Sequence, residues 1–298
     1  MAGPITDAHK LAYVKNVELA VQQTKSKFEQ AFTYQDSLKG RVACMLELIG
    51  ATEAILDGAR GGDTPNIDAT IEPVWCKPRQ IEWGKLIEKE DAIKALTDYQ
   101  SQFVQAGAAA IVRGRDKIFA QAIFGNRLIG QDAATEAAYD PTNKVVAVDV
   151  GAGSATGMNL AKIERAKRYL RAFEVNFDAE ELWGALNAQQ MEELYYDIIA
   201  NATTPQGKTA VLDATTKIVH AVAGINFVHS EQLPAHDGST YAAAIWCKSG
   251  MYYGDFDPLK VSAEPNPAKK YRIHPYMENW FGATRAEDKK VIKILTKI

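Results

Sequence analysis

"QSQFVQAGAAAIVRGRDKIFAQAIFG", Gln100 to Gly125, is the stretch on which the fold turns. It reads as a helix with small residues over much of its surface and a knot of charge near its middle, in which Arg113, Arg115 and Asp116 stand out. The preceding "EKEDAIKALTDYQSQF" continues the pattern, so the predicted helix runs from about Glu88 to Phe124. That is ~37 residues, or ~55 Å at 1.5 Å per residue, against a globular average of ~11–12 residues. A helix of that length is a spine. Ala106, Ala108, Ala109 and Ala110 let strands pack close to it. The three charges have a plain reading as a solvated face with intrahelical pairs, worth a few tenths of a kcal/mol. Their other reading is contact with something that crosses the helix.

Just upstream, "RVACMLELIG" (41–50) and "ATIEPVWCKPRQIEW" (69–83) have strand character. Between them "DGARGGDTPN" (57–66) is too rich in glycine, aspartate and proline to hold a helix. The simplest reading is a long two-armed hairpin with a mobile tip. Pro73 and Pro78 suit edge strands. A hairpin of this kind is unstable alone in water and needs a partner surface. Residues 6–32, with Leu11, Val14, Val17, Val21, Phe28 and Phe32 near helical spacing and Thr6 or Asp7 as cap, read as an amphipathic helix that must lie on something.

Downstream, "NLAKIERAKRYLRAF" and "NAQQMEELYYDIIAN" read as helices, the second capped by Asn187, and "LDATTKIVHAVAG" as a third ending at Gly224. "LWGAL", "INFVHSEQLP" and "YAAAIWCKSGMYYGDF" read as strands, and "WFGATRAEDKKVIKILTKI" as a turn followed by an alternating strand. The order lacks a regular strand–helix repeat, which points to an α+β fold and away from a doubly wound sheet.

The composition is that of a folded globular chain, with 47% hydrophobic and 24% charged residues. No run reaches the ~18 apolar residues of a membrane helix, and the N-terminus has no basic flank before an apolar run, so neither a span nor a secretion signal is expected. Three cysteines, Cys44, Cys76 and Cys247, favour a reducing interior over a disulfide scaffold. Cys44 and Cys76 fall on opposite hairpin arms as packed residues. The net charge of −3 is uneven: 0 over 1–38, 0 over 39–129, −8 over 130–266 and +5 over 267–298. Only the short tail from "KKYRIH" is basic, which argues against sequence-specific nucleic-acid binding and leaves room for loose contact with a polyanion.

Motifs for catalysis are weak. "VVAVDVGAGSATG" (145–157) resembles the nucleotide-cradling loop of S-adenosylmethionine-dependent methyltransferases, through Asp149, Gly151 and Gly153. Glu174 and Asp178 offer the acid that should follow, but no clear strand precedes them and the βαβ alternation is missing, so a glycine loop joining strand to helix explains the stretch. Gly207-Lys208-Thr209 lacks the glycine a phosphate loop needs at position 202, where Ala202 stands. His229, Ser230, His236 and Asp237 have hydrolase residue types without a nucleophile elbow. Histidines and cysteines never reach zinc-finger spacing. No catalytic, cofactor-binding or metal-ligating residue is therefore expected. An extended arm, a projecting hairpin and a long spine bury little within one subunit, which points to obligate self-assembly.

The order of these elements resembles the major capsid proteins of tailed bacteriophages, the HK97-like fold. "CKPRQIEWGKLIEKEDAIKALTDYQSQFVQAGAAAIVRGRDKIFAQAIFG" looks like the family's descending E-loop arm running into its spine helix. "NLAKIERAKRYL", "ALNAQQMEELYYD" and "AGINFVHSEQLP" follow the order of its axial domain, and "WFGATRAEDKKVIKI" looks like its closing turn and strand. The likeness covers the chain from about residue 10 to its end and lies in order and length, with no diagnostic motif.

The resemblance implies an N-terminal arm (1–38), an E-loop over a neighbouring subunit (39–87), a peripheral domain (88–129 with 267–298) and an axial domain (130–266). It implies hexamers and pentamers of this chain in an icosahedral shell around double-stranded DNA, assembled in the bacterial cytoplasm and retained in the virion. Implied partners are further copies, a portal protein, a scaffolding protein, decoration proteins, and packaged DNA held loosely; no membrane is involved. The ~38 residues before the loop are too few for a substantial fused scaffold, so a separate one is expected. Lys77 and Lys85 lie in the loop without a matching asparagine, so no crosslink is expected. Arg79, Trp83, Arg113, Arg115 and Asp116 are the candidate inter-subunit contacts. An encapsulin-type compartment shares the architecture with a protein cargo in place of DNA; the long loop and arm favour the phage shell.

Overall fold

The computed structural model describes residues 23, 25–36, 38–56, 64, 66–86, 99–201, 221–267 and 271–297. It contains three α-helices, α1 (Tyr99–Phe124), α2 (Leu160–Ala172) and α3 (Ala188–Asn201), among the described residues. The strands are β1 (Thr33–Tyr34), β2 (Ala43–Ile49), β3 (Ile71–Cys76), β4 (Arg79–Gly84), β5 (Arg127–Ile129), β6 (Thr135–Ala137) and β7 (Val145–Val146). They continue as β8 (Leu182–Leu186), β9 (Ala221–Val222), β10 (Ile225–His229), β11 (Thr240–Cys247), β12 (Met251–Asn266), β13 (Arg272–Arg285) and β14 (Val291–Lys297). The α+β class is realised.

A six-stranded sheet of order β7-β14-β11-β8-β10-β9 forms the centre. Alternation along its strands supplies two cores. From β11, Ala243, Ile245 and Cys247 face one core, where Ile163, Ala166 and Leu170 of α2 and Leu194 and Ile198 of α3 pack. Ala244 and Trp246 face the other, among Phe28, Phe32, Phe119 and Phe281. That double burial explains why "YAAAIWC" reads as a continuous apolar run.

The local signals at α2 and α3 are realised. Asn159 Oδ1 accepts from Lys162 N at 2.9 Å. Asn187 Oδ1 accepts from Gln190 N at 2.8 Å, while Gln190 Oε1 accepts from Asn187 N at 3.0 Å, a reciprocal capping box.

The second sheet, β1-β12-β13-β4, carries α1 on its surface. β4 runs along the helix in the opposite direction: Arg79 meets Gln121, Ile81 meets Gly114 and Trp83 meets Gly107. A Cβ on Gly107 would lie 2.5 Å from Cε3 of Trp83, so only glycine admits the ring there. Ala109 is buried, but the closest approach falls at the glycines between the alanines.

The third sheet, β2-β3-β5-β6, contains the expected hairpin, with Ala43 opposite Cys76 and Ile49 opposite Ile71. β5 pairs with β3 only at Val74 and Trp75, so Pro73 sits where the missing N–H meets no third strand. Pro78 falls in the break before β4. The tip stretch 57–66 lies largely outside the described residues.

Several expectations are corrected. Of the proposed helix over 6–32, the described part from 25 onward is a 3-10 turn, Glu29–Ala31, followed by β1. The turn lets Phe28 and Phe32 both enter the aromatic core while the Ala31 carbonyl accepts from Trp246 Nε1 at 2.9 Å. The remainder lies outside the described residues, as do positions 87–98 of the long helix and most of the third axial helix. The end of that third helix is instead β9, turning into β10 through Ala223 and Gly224 at φ +52° and +78°. Two consecutive positive φ values make the tight turn that suits strand twist.

β14 pairs with β11 and β7 in the six-stranded sheet, and β12 pairs with β13 beneath α1. Chain order cannot reveal this, because strands cross between sheets through the 3-10 turns Lys248–Gly250 and Asp288–Lys290.

Candidate functional site

The hairpin leaves the body at a narrow root. Among the described residues, Leu38, Ala43, Met45 and Cys76 form a small buried cluster there. Burial alternates over Ala43 to Met45 and lapses from Glu47 outward. Beyond that point Ile49, Ile55, Leu56, Ile67 and Ile71 are exposed, Leu56 by 84%. Exposed aliphatic side chains along both strands of the hairpin are a surface waiting for cover.

The root itself is held firmly. Trp75 Nε1 donates to the Gly130 carbonyl at 2.7 Å. Arg127 reaches Glu72 on the hairpin at 3.6 Å and donates to the Ala286 carbonyl at 2.6 Å. Behind it lies Arg285, fully buried, whose Nη1 donates to the carbonyls of Ile123 and Gly125 at 2.9 Å each, capping the C-terminus of α1. Its Nε donates to Asp288, and its guanidinium lies 5.0 Å from the centre of the Tyr139 ring. Burial pulls the Arg285 pKa down, and the Asp288 carboxylate opposes that pull.

Arg113, Arg115 and Asp116 of α1 have partners within the chain. Asp116 is buried and accepts from Ser26 Oγ at 2.5 Å, from Lys27 N at 3.1 Å and from Gln23 Nε2. Arg115 pairs with Glu29 at 3.2 Å and Asp255 at 3.4 Å, and lies 4.6 Å from the Phe281 ring centre. Both residues therefore clasp the N-terminal segment. Arg113 is half-buried and also engaged. Arg79 is exposed on β4, its Nη1 donating to Gln121 Oε1 at 2.5 Å, and Trp83 is half-buried against Gly107. The five residues do not form one patch: Arg79 and Trp83 line one flank of the helix, and Arg115 and Asp116 hold the N-terminal segment.

Pattern reading missed Trp75, Arg127 and Arg285. The one local signal was the Arg285–Asp288 spacing in "TRAED".

The other motifs resolve as structure. The strand before the glycine loop is two residues of β7 at a sheet edge. Lys162 fills the space behind that loop, donating to the carbonyls of Thr156 at 2.7 Å, Gly157 at 2.8 Å and Leu295 at 3.0 Å. Burial pushes its pKa down to about 8.

His229 faces Glu231 at 2.8 Å and Lys27 Nζ at 3.2 Å, while Asp237 closes its own turn by accepting from Ser239 N and Thr240 N. No nucleophile joins them into a triad. Gly207–Thr209 lies outside the described residues. Among the described residues no group of three or more His, Cys, Asp or Glu is arranged for a metal. Cys76 and Cys247 are buried thiols pushed up to about 12 by desolvation, so they pack and do not react.

A firmly rooted hairpin with an uncovered apolar arm marks a subunit with surface left for another molecule to cover. Comparison with known families agrees: the phage capsid protein family model matches residues 5–298. The chain belongs to that family.

Solved structures share the fold. The capsid of Ralstonia phage GP4 aligns with a TM-score of 0.71 at 12% identity, covering 94% of this chain and 93% of that one. The capsid of the cyanophage P-SCSP1u aligns at 0.69 and 12% identity, covering 94% and 90%. The capsid of a native gene transfer agent particle aligns at 0.67 and 11% identity, covering 95% and 94%. No curated protein matches the chain.

Proposed function

We propose that this chain is the major capsid protein of a tailed phage, assembling as hexamers and pentamers into an icosahedral shell around double-stranded DNA. The observation that carries this reading is the hairpin. Its root is locked by Trp75 and Arg127, while its arm exposes five aliphatic residues over a four-residue core. Such an arm is stable once a neighbouring subunit covers it.

Residues 39–87 act as the loop over the neighbour and 1–38 as an arm clasped at its inner end by Asp116 and Arg115. The sheet beneath α1 supplies the peripheral domain, and the six-stranded sheet supplies the axial one. Arg79, exposed on β4, and Trp83 serve the inter-subunit contact directly. Arg113, Arg115 and Asp116 serve it by fixing the segment that neighbours meet. The protein acts as structure and not as an enzyme, in the virion after assembly in the host cytoplasm, with portal, scaffolding and decoration proteins as partners.

Electron microscopy of the expressed chain, with and without a scaffold, tests the reading: closed shells are expected. Discrete monomers under all conditions would falsify it. Nuclease-protected DNA in shells purified from infected cells marks a phage capsid; a protein cargo would mark a compartment instead.

A further inference from the structure

The hairpin is electrically polarised along its length. From Cys44 to Cys76 it carries six carboxylates, at 47, 53, 57, 63, 68 and 72, and one cation, Arg60. Its root carries the opposite sign: Lys39, Arg41, Lys77 and Arg79 are all exposed. None of the four makes an ion pair with a described residue.

The root also has a shape. Arg41 and Lys77 flank a groove of about 480 Å³ walled by Pro78, Phe256 and Trp280. Asp257, also in the groove wall, is engaged by Lys260. The groove thus offers cations at its rim and apolar rings inside. The arm offers carboxylates, Glu47, Glu53 and Asp68, interleaved with exposed Ile49, Leu56 and Ile67. Within one hairpin the two ends sit at opposite ends of the same ribbon.

We infer that the basic groove at the hairpin root receives the acidic, apolar arm of a second copy of this chain. The contact is heterologous, root to arm, so each copy offers one of each and the pairing propagates around a ring. The inference rests on the shell reading and adds the surface that receives the arm. Opposite charge steers the encounter and sets the register, and the aliphatic–aromatic burial holds it. A polyphosphate chain would use the rim cations but leave Phe256 and Trp280 unused, so a protein partner fits the groove better.

Three variants of the full chain test the pairing. Arg41→Glu with Lys77→Glu reverses the root; Glu47→Lys with Glu53→Lys reverses the arm; the third carries all four changes. These side chains are exposed and make no ion pair with a described residue, so subunit folding, read by circular dichroism, is expected to survive. Assembly followed by light scattering and microscopy is expected to slow at least about tenfold in each single-sided variant, and to recover to within about threefold when both sides are reversed. Wild-type assembly is expected to slow with added salt.

Normal assembly of either single-sided variant overturns the pairing and leaves the shell reading intact, as does failure of the four-change variant to recover. A root variant that assembles normally but loses retention of a linear DNA fragment overturns it in favour of a polyanion site. A wild-type chain that never forms shells removes the shell reading and the pairing together.

Discussion

On β11, Ile245 and Trp246 are consecutive and both fully buried, one in each core of the six-stranded sheet. On the hairpin, Ile49 and Ile71 stand opposite each other in register and both face solvent, Ile49 by 73%. The residue types are alike. The difference is the supply of neighbours: α2 and α3 cover one side of the sheet, and the N-terminal segment and α1 cover the other. Nothing in the described chain covers the arm. Burying an aliphatic side chain is worth about 1.5–3 kcal/mol, so the body gains stability from itself and the arm, under the function proposed above, gains it from a neighbouring copy. One subunit therefore holds a part that folds alone and a part that is completed by contact.

That contrast can be broken most severely at Arg285. Arg285→Met removes the cap of α1 and leaves Asp288 without its closest cation, at an expected cost of about 3–5 kcal/mol. Urea unfolding of the subunit measures it; a loss under about 1 kcal/mol would show that the guanidinium is not holding the body together. Next, Asp116→Ala strips the N-terminal segment of its buried acceptor, for an expected loss of about 1–3 kcal/mol. Limited proteolysis is expected to cut that segment before the rest of the chain, and unchanged cleavage would place its anchor in the aromatic core alone.

A smaller effect is expected at the helix–strand contact. Gly107→Ala gains about 1 kcal/mol of helix propensity but drives a methyl group into the Trp83 ring, so a net loss of about 1–2 kcal/mol is expected. A stabilised variant would mean that β4 yields easily. The smallest effect on the subunit, and the sharpest on the comparison, belongs to the arm. Leu56→Ser with Ile55→Ser is expected to shift subunit stability by less than about 0.5 kcal/mol while shells fail to form in microscopy. A clear loss of subunit stability would show that the arm folds against its own body after all.

What was legible in the sequence was local. Asn187 announced α3, because a capping side chain bonds to a backbone N–H three residues on, and helical periodicity announced α2. Alternation announced β14, and the apolar run announced β11. The long-range anchors stayed hidden. Asp116 meets residues 23–27, some ninety positions away, and Arg285 meets the end of a helix about 160 positions upstream. The basic tail read as the one stretch open to loose contact with a polyanion. In the fold Lys290 reaches Glu180 at 3.3 Å and Lys293 lies 4.4 Å from the Phe124 ring centre, so much of that charge holds the subunit to itself.

By itself, then, the sequence determined most of the helices and strands, that the class is α+β, and that the hairpin carries more apolar surface than its own segment covers. Those follow from backbone propensity, periodicity and the excess of apolar surface over local cover. Only the tertiary structure decided which sheet each strand joins, that Arg115 and Asp116 grip the chain's own N-terminal segment, and that the hairpin is pinned at Trp75 and Arg127. Sheet membership and ion pairing are settled by through-space distances of a few ångströms, and separation along the chain carries no record of them.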